Sequence, residues 1–254
     1  MTILGDDVQE GLETFVVDLS NPSSGVQLID NQATGSIVDD ELINMFGTPI
    51  INVAGIGNQP LSPPDTVGDV GPDHYIQSIN GPGGSLVQIY NKDGSIDTPA
   101  FPMPSLAPAG SSGVNGAGDP IILYDHLADR WFMAEFTSGN NDLNIYISDT
   151  STPTSNPADW SYFSFTAPNF PDYPKFAVWP DGYYMTSNEA GDPPTYVFDR
   201  ANMLAGLAPR PFQRVTSPSL AGFGFQALTP ADLDGPAPPA AVSYTHLTLP
   251  TNGL

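Results

Sequence analysis

Carboxylates dominate the residues of this chain that could do chemistry. Four of them, Asp7, Asp39, Asp40 and Glu41, bracket a short pair of extended segments near the start. Carboxylates crowded at strand ends repel one another unless a cation sits among them. Ca²⁺ suits such a place, since it accepts about six to eight oxygens at about 2.3–2.6 Å and tolerates irregular loops. These four are therefore the candidate calcium ligands, with solvated strand ends as the plain alternative. Asp65, Asp69 and Asp73 recur at i, i+4 and i+8 with Gly68 and Gly71 between them. They read either as a cation clamp or as turn-formers that need no ligand. Asp65, Asp119 and Glu189 lie near corresponding points of a longer repeat. If they converge, they form the carboxylate set of a hydrolase, one group protonated and one charged. Turn hydrogen bonds to backbone amides are the plainer role for Asp119 and Asp125. His74 and His126 are not spaced as a metal pair, and His74 beside Tyr75 reads as a packing residue. Trp131, Trp160 and Trp179 read as packing residues too, with sugar stacking as the alternative for one of them. The sequence holds no Gly-x-Ser-x-Gly elbow, phosphate-cradling Gly-Lys loop or His-Glu-x-x-His helix.

The elements that must position these groups are strands. Phe15, Val17 and Leu19 alternate with Val16, Asp18 and Ser20, the period of two that marks a strand with unlike faces. A turn cluster, Asn21-Pro22-Ser23-Ser24-Gly25, and two further extended pieces follow. Residues 42–60 are rich in proline and glycine and read as a linker. Beyond it a repeat emerges. Aromatic strands recur at Tyr75, Trp131 and Tyr183, 56 and 52 positions apart. A second apolar strand ends at Tyr90, Ile147 and Phe198, 57 and 51 apart, each before a polar turn. Two landmarks with one period predict four short strands in about 50 residues, the size of a β-propeller blade. Blades stack because neither apolar face of such a sheet can be buried alone.

Composition narrows the class. The chain has 28 acidic and 6 basic residues, a net charge of −22. Such a surface repels phosphate backbones and anionic membranes, so nucleic-acid partners are disfavoured. It suits surroundings rich in Ca²⁺ or salt. The chain has no cysteine, which rules out thiolate metal sites, disulfides and cysteine nucleophiles in this sequence. No apolar run approaches the ~20 residues that span a bilayer as a helix. The 25 glycines and 28 prolines between aromatic segments point to an all-β fold with many turns.

Three stretches carry resemblances. GDDVQEGLETFVVDLSNP followed by ATGSIVDDE resembles the C-terminal half of a Calx-β domain, a β-sandwich whose best-known members bind Ca²⁺ at one end. The resemblance implies that Asp7 matches the last aspartate of one ligand loop and Asp39 and Asp40 the closing aspartate run. Glu41 stands for a frequent aspartate, and Gly5 stands where an acid often occurs. PPDTVGDVGPDHYIQSING, DPIILYDHLADRW, FPDYPKFAVWPDGYYMTSNE and LTPADLDGPAPP resemble a group of secreted bacterial propeller-like proteins with no established activity. Asp119-Pro120 resembles the start of a blade in some five-bladed glycoside hydrolases. VSYTHLTLPTN, residues 242–252, resembles a translated sequencing adapter. His246 falls within it.

The expected organisation is an all-β chain in four parts. Residues 1–41 form a partial Calx-β-like β-sandwich, 42–60 a linker, 61–241 an incomplete β-propeller of about three blades, and 242–254 an adapter-derived tail. The expected protein is a piece of a longer secreted or cell-surface one, binding a protein or carbohydrate without catalysis. A secreted carbohydrate-active hydrolase working at the propeller mouth is the alternative. The lack of a recognisable catalytic set favours the first. Blades at the two ends of the array are expected to leave an apolar face exposed.

Overall fold

The computed structural model describes residues 13–18, 20, 31–37, 51–219 and 225–233. Asp7, Asp39, Asp40, Glu41 and the tail 242–254 lie outside the described residues. The protein is all-β, with one five-residue helix and short 3-10 turns among the described residues. The chain divides into two compact units, Met1–Asn52 and Val53–Leu254.

In the first unit β1 (Glu13–Asp18) pairs antiparallel with β2 (Gln32–Ile37). Phe15 stands opposite Gly35, where an added Cβ would meet the ring at 2.3 Å. The glycine makes room for the aromatic side chain. The Gln32 amide donates to the Asp18 carboxylate at 2.8 Å.

The second unit is three four-stranded antiparallel sheets, each an up-and-down meander in chain order. The first sheet is β3 (Val67–Val70), β4 (His74–Gly81), β5 (Gly84–Asn91) and β6 (Ile96–Pro102). The second is β7 (Ile121–Asp125), β8 (Arg130–Phe136), β9 (Asp142–Ser148) and β10 (Trp160–Thr166). The third is β11 (Asp172–Trp179), β12 (Gly182–Asn188), β13 (Pro194–Phe198) and β14 (Gln213–Thr216). Helix α1 (Arg200–Leu204) follows β13 and is capped by the Asp199 side chain. Local chemistry sets the turns. Gly81 pairs with Gly84 across Pro82-Gly83, and Gly83 takes φ +79, the left-handed conformation a tight proline–glycine turn requires.

The sheets pack face to face. Ile76, Val87, Ile89 and Phe101 of the first meet Ile122, Trp131, Met133 and Tyr146 of the second. The other face of the second sheet, with Phe132, Ala134, Ile145 and Ile147, meets Phe176, Tyr183, Met185 and Tyr196 of the third. The second sheet is thus apolar on both sides. This explains why its central strands, RWFMAEF and DLNIYIS, read as nearly continuous hydrophobic runs rather than alternating ones.

Tyr75, Trp131 and Tyr183 all sit on the second strand of their sheet, with side chains on its first-facing side, the side toward the preceding sheet where there is one. Trp131 and Tyr183 are completely buried, whereas Tyr75 is half-buried. Within the second unit no sheet precedes the first one, so Tyr75 lacks the cover that Trp131 and Tyr183 have. Val70 and Ile96 on the same face are 54% and 56% exposed. On the far face of the third sheet Val215 is 65% exposed.

The second landmark needs correction. Tyr90 and Phe198 lie opposite Tyr75 and Tyr183, but Trp131 lies opposite Ser148, and Ile147 points to the other face. The equivalent of Tyr90 and Phe198 is therefore Ser148. The swap has a volume logic: the largest side chain in the series faces the smallest partner. The Ser148 hydroxyl accepts from the Trp131 backbone N–H at 2.7 Å and donates to the Thr150 carbonyl at 2.6 Å.

Candidate functional site

The approaches to the three first strands meet at one cleft of about 230 Å³. Asp65 and Thr66 enter from the first sheet, Asp119 and Pro120 from the second, and Tyr173, Pro174 and Lys175 from the third. Three residues there share an unusual backbone. Asp65, Asp119 and Tyr173 have φ of 41°, 50° and 51°, left-handed for residues that carry a Cβ. They are 54 positions apart in each step, 65 to 119 and 119 to 173. Each such residue costs on the order of 1 kcal/mol or more in strain, which surrounding contacts must offset.

Asn80 supplies those contacts for the two acids. Its amide nitrogen donates to the Asp65 carboxylate at 2.6 Å and to the Pro63 carbonyl at 3.1 Å. Its amide oxygen accepts from the Asp119 backbone N–H at 2.8 Å. One side chain at the end of β4 therefore clamps both approaches. Gly118, at φ +98, has no Cβ to strike the Asn80 amide oxygen, which would lie 2.4 Å away.

The clamp sets the Asp119 carboxyl beside that of Asp65, close enough for the Asp65 charge to act on it. A like charge nearby favours the protonated form. Partial burial, then the neighbouring Asp65 carboxyl, raise Asp119 to about 6. Lys175 sits 3.5 Å above the Tyr173 ring and is pushed down by desolvation, against the pull of Asp119, Asp65 and Asp172. The Tyr173 ring is 45% exposed and meets the exposed Phe225 ring edge-on at 5.1 Å. The cleft thus offers a carboxyl group raised to about 6, an ammonium group and aromatic surface.

The other candidates fall elsewhere. Glu189 does not join the two aspartates. It is buried in the third sheet, where it accepts from the Ser187 hydroxyl at 2.8 Å, the Tyr196 hydroxyl and Arg214 Nη2 at 3.1 Å. Asp69 points to the second sheet and accepts the Tyr124 N–H at 2.7 Å, so Asp65, Asp69 and Asp73 form no clamp. Among the described residues no group of three or more histidines, aspartates or glutamates is placed to hold a metal. His74 is buried, with Nε2 3.9 Å from Asp97. Trp131 and Trp160 pack between the first two sheets, and their indole nitrogens donate to the Ser151 and Thr154 carbonyls. Trp179 is half-exposed and donates to the Ala231 carbonyl.

Asp125 is more than a turn-former. It accepts the Leu127 N–H at 3.1 Å, but it also takes Arg200 Nε and Nη2 at 2.7 and 2.8 Å and the Tyr183 hydroxyl at 2.8 Å. It ties the second sheet to the third. Asp199 pairs with Arg210 in the same bidentate way, and this holds its carboxyl well below the usual range. No sequence signal marked the Asp125–Arg200 pairing, because 75 residues separate the two.

The segment 225–233 lies on the far face of the third sheet. Gln226 N–H donates to Asn188 Oδ1 at 2.9 Å, and Val178 N–H donates to Asp232 at 2.7 Å. The first of these repeats the Asn80 contact: Asn188 ends β12 as Asn80 nearly ends β4, 108 positions earlier, and each accepts a backbone N–H from a later segment. Comparisons of the chain with protein-family models, with curated proteins and with solved structures gave no match.

Proposed function

We propose that this chain is a non-catalytic binding piece of a secreted or cell-surface bacterial protein, with three successive blades of a β-propeller following a calcium-stabilised Calx-β-like unit. The blade reading is supported by the three meanders in chain order and by their face-to-face packing. It is also supported by the repeated asparagine contact, which seats 225–233 on the third sheet as the approach to β7 is seated on the first. In this reading the first strands line the central axis and the cleft is its mouth.

The ligand we assign to the mouth is a carbohydrate. Sugar hydroxyls both donate and accept, and a raised Asp119 carboxyl beside a second aspartate and an ammonium group answers both needs. Exposed Tyr173 and Phe225 provide apolar surface for a pyranose face. The observation that carries the non-catalytic reading is that Glu189, held by Arg214 and Ser187 in the third sheet, does not converge with Asp65 and Asp119 on the cleft. A hydrolase of the expected kind needs a carboxylate set that converges on one site.

The test is a calorimetric screen of the full chain against a panel of neutral oligosaccharides, with reducing-end release measured on the same samples. Binding should be lost in Asp119→Ala and weakened in Tyr173→Ala, with no sugar released. Steady release of reducing ends that depends on Asp119 would establish the hydrolase instead. Binding indifferent to both substitutions would remove the ligand from the cleft.

A further inference from the structure

Glu135 on β8 is fully buried between the first and second sheets. Oε2 accepts the Ser85 N–H at 2.9 Å, while Oε1 has no hydrogen-bond partner. The buried hydroxyls of Ser85 and Tyr146 are without partners as well. The enclosure is tight. A Cβ on Gly116 would stand 2.4 Å from Oε1, and one on Gly84 would stand 3.1 Å from Oε2.

Among the described residues the surroundings hold no positive charge. β5 contributes Ser85, and β9 contributes Tyr146 and Asn144, the latter directly opposite Glu135. β10 contributes Tyr162, which raises Tyr146, and Pro104 and Gly116 close the remaining sides. No lysine, arginine or histidine perturbs Glu135. The contrast with Asp125, Glu189 and Asp199 is sharp, because each of those has its own arginine. A carboxylate this enclosed and without a counter-charge is strongly disfavoured in its ionised form.

We infer that Glu135 carries a proton in the folded protein and acts as a proton-sensitive joint between the first and second sheets. Ionisation sets an uncompensated charge against the Gly116–Gly118 backbone, which runs directly into Asp119 of the cleft. Burial, opposed by the Ser85 N–H that Oε2 accepts, raises the carboxyl to about 7. The joint therefore responds within the neutral range. Because the folded-state value lies above the unfolded one, stability is full at acidic pH and declines as pH rises toward and through about 7.

Thermal and urea unfolding of the full chain between acidic and mildly alkaline pH tests this in wild type, Glu135→Gln and Glu135→Leu. Asp119 titrates in all three, so the difference between them isolates Glu135. The wild-type folding equilibrium should fall on the order of 10²-fold relative to Glu135→Gln across this range, and both proteins should agree at acidic pH. Should neither variant fold, infrared spectra of Asp119→Asn should show a protonated-carboxyl band that disappears at alkaline pH. Parallel pH profiles for wild type and Glu135→Gln, or a missing band, overturn the inference. A wild-type melting temperature at alkaline pH that depends on Na⁺ against K⁺ also overturns it, since a metal cation rather than a proton would then neutralise the site. These readouts need no ligand and are independent of what the cleft binds.

Discussion

Asp125→Ala removes the charge that ties the second sheet to the third. Asp125 is completely buried, and the Arg200 side chain is 10% exposed. The substitution strands a guanidinium that made two charge-assisted bonds, the Tyr183 hydroxyl and the Leu127 N–H. Breaking one side of a buried pair costs about 3–5 kcal/mol, because the remaining charge stays buried without compensation. The stranded hydroxyl and amide add about 1 kcal/mol each where water cannot reach them. These contributions overlap, and about 4 kcal/mol is the expected loss. For a unit of this size that lowers the melting temperature by about 8–16 °C. Asp125→Asn keeps acceptors for Tyr183 and one guanidinium N–H and should lose about half as much. The decisive measurement is a urea-unfolding cycle at neutral pH with Asp125→Leu, Arg200→Met and the double variant. The double variant should cost at least about 2 kcal/mol less than the sum of the singles, since neither charge is then left alone. A loss below about 1 kcal/mol for Asp125→Ala, or strict additivity in the cycle, would refute the view that this pair joins the sheets.

Ser148→Ala should cost about 1–3 kcal/mol in urea unfolding, because it strands the buried Trp131 N–H; a neutral result would show that water serves that group. Asp119→Asn removes the raised carboxyl at the cleft, so its melting temperature relative to wild type should rise as pH increases from 5 to 8 through the raised Asp119 value of about 6. A constant difference over that range would mean that burial and Asp65 do not raise Asp119. In a full Calx-β domain that carries these residues, Ca²⁺ should raise the melting temperature over that in chelator and leave Asp39→Ala/Asp40→Ala unmoved, by mass action on the native state. Equal melting temperatures in all four cases would make those acids solvated strand ends.

The strands were legible because their signals are local. Aromatic and β-branched runs broken by glycine and proline mark β4, β8 and β12 in sequence, and the repeat places Tyr75, Trp131 and Tyr183 on matching strands. Register was less legible. With both faces of β9 buried, Ile147 and Ser148 differ in size but not in any alternation that would show which one faces Trp131. Asp65 and Asp119 were visible as candidates at corresponding points, but the third member of that series is Tyr173, not Glu189. Three left-handed residues 54 apart, two of them followed by proline, were the available signal. The Asp125–Arg200 pairing and the isolation of Glu135 could not be read, because they depend on which distant strands become neighbours.

The three paired arginines have a consequence for handling the protein. Of six basic residues, Arg200, Arg210 and Arg214 neutralise acids inside the fold, which leaves Lys92, Arg130 and Lys175 against the remaining carboxylates. Mutual repulsion among those carboxylates is what keeps the molecules apart in solution. Mild acidification removes it while the raised acids, Glu135 and Asp119, gain their protons and the arginine-bound Asp199 keeps its charge. The stabilisation these two raised acids contribute is therefore greatest on the acid side, toward the isoelectric point of about 4.1 expected from the composition, where the net charge that separates molecules with exposed Val70, Ile96 and Val215 vanishes. The contribution of Glu135 and Asp119 to stability and the charge that favours solubility thus change in opposite directions as pH falls.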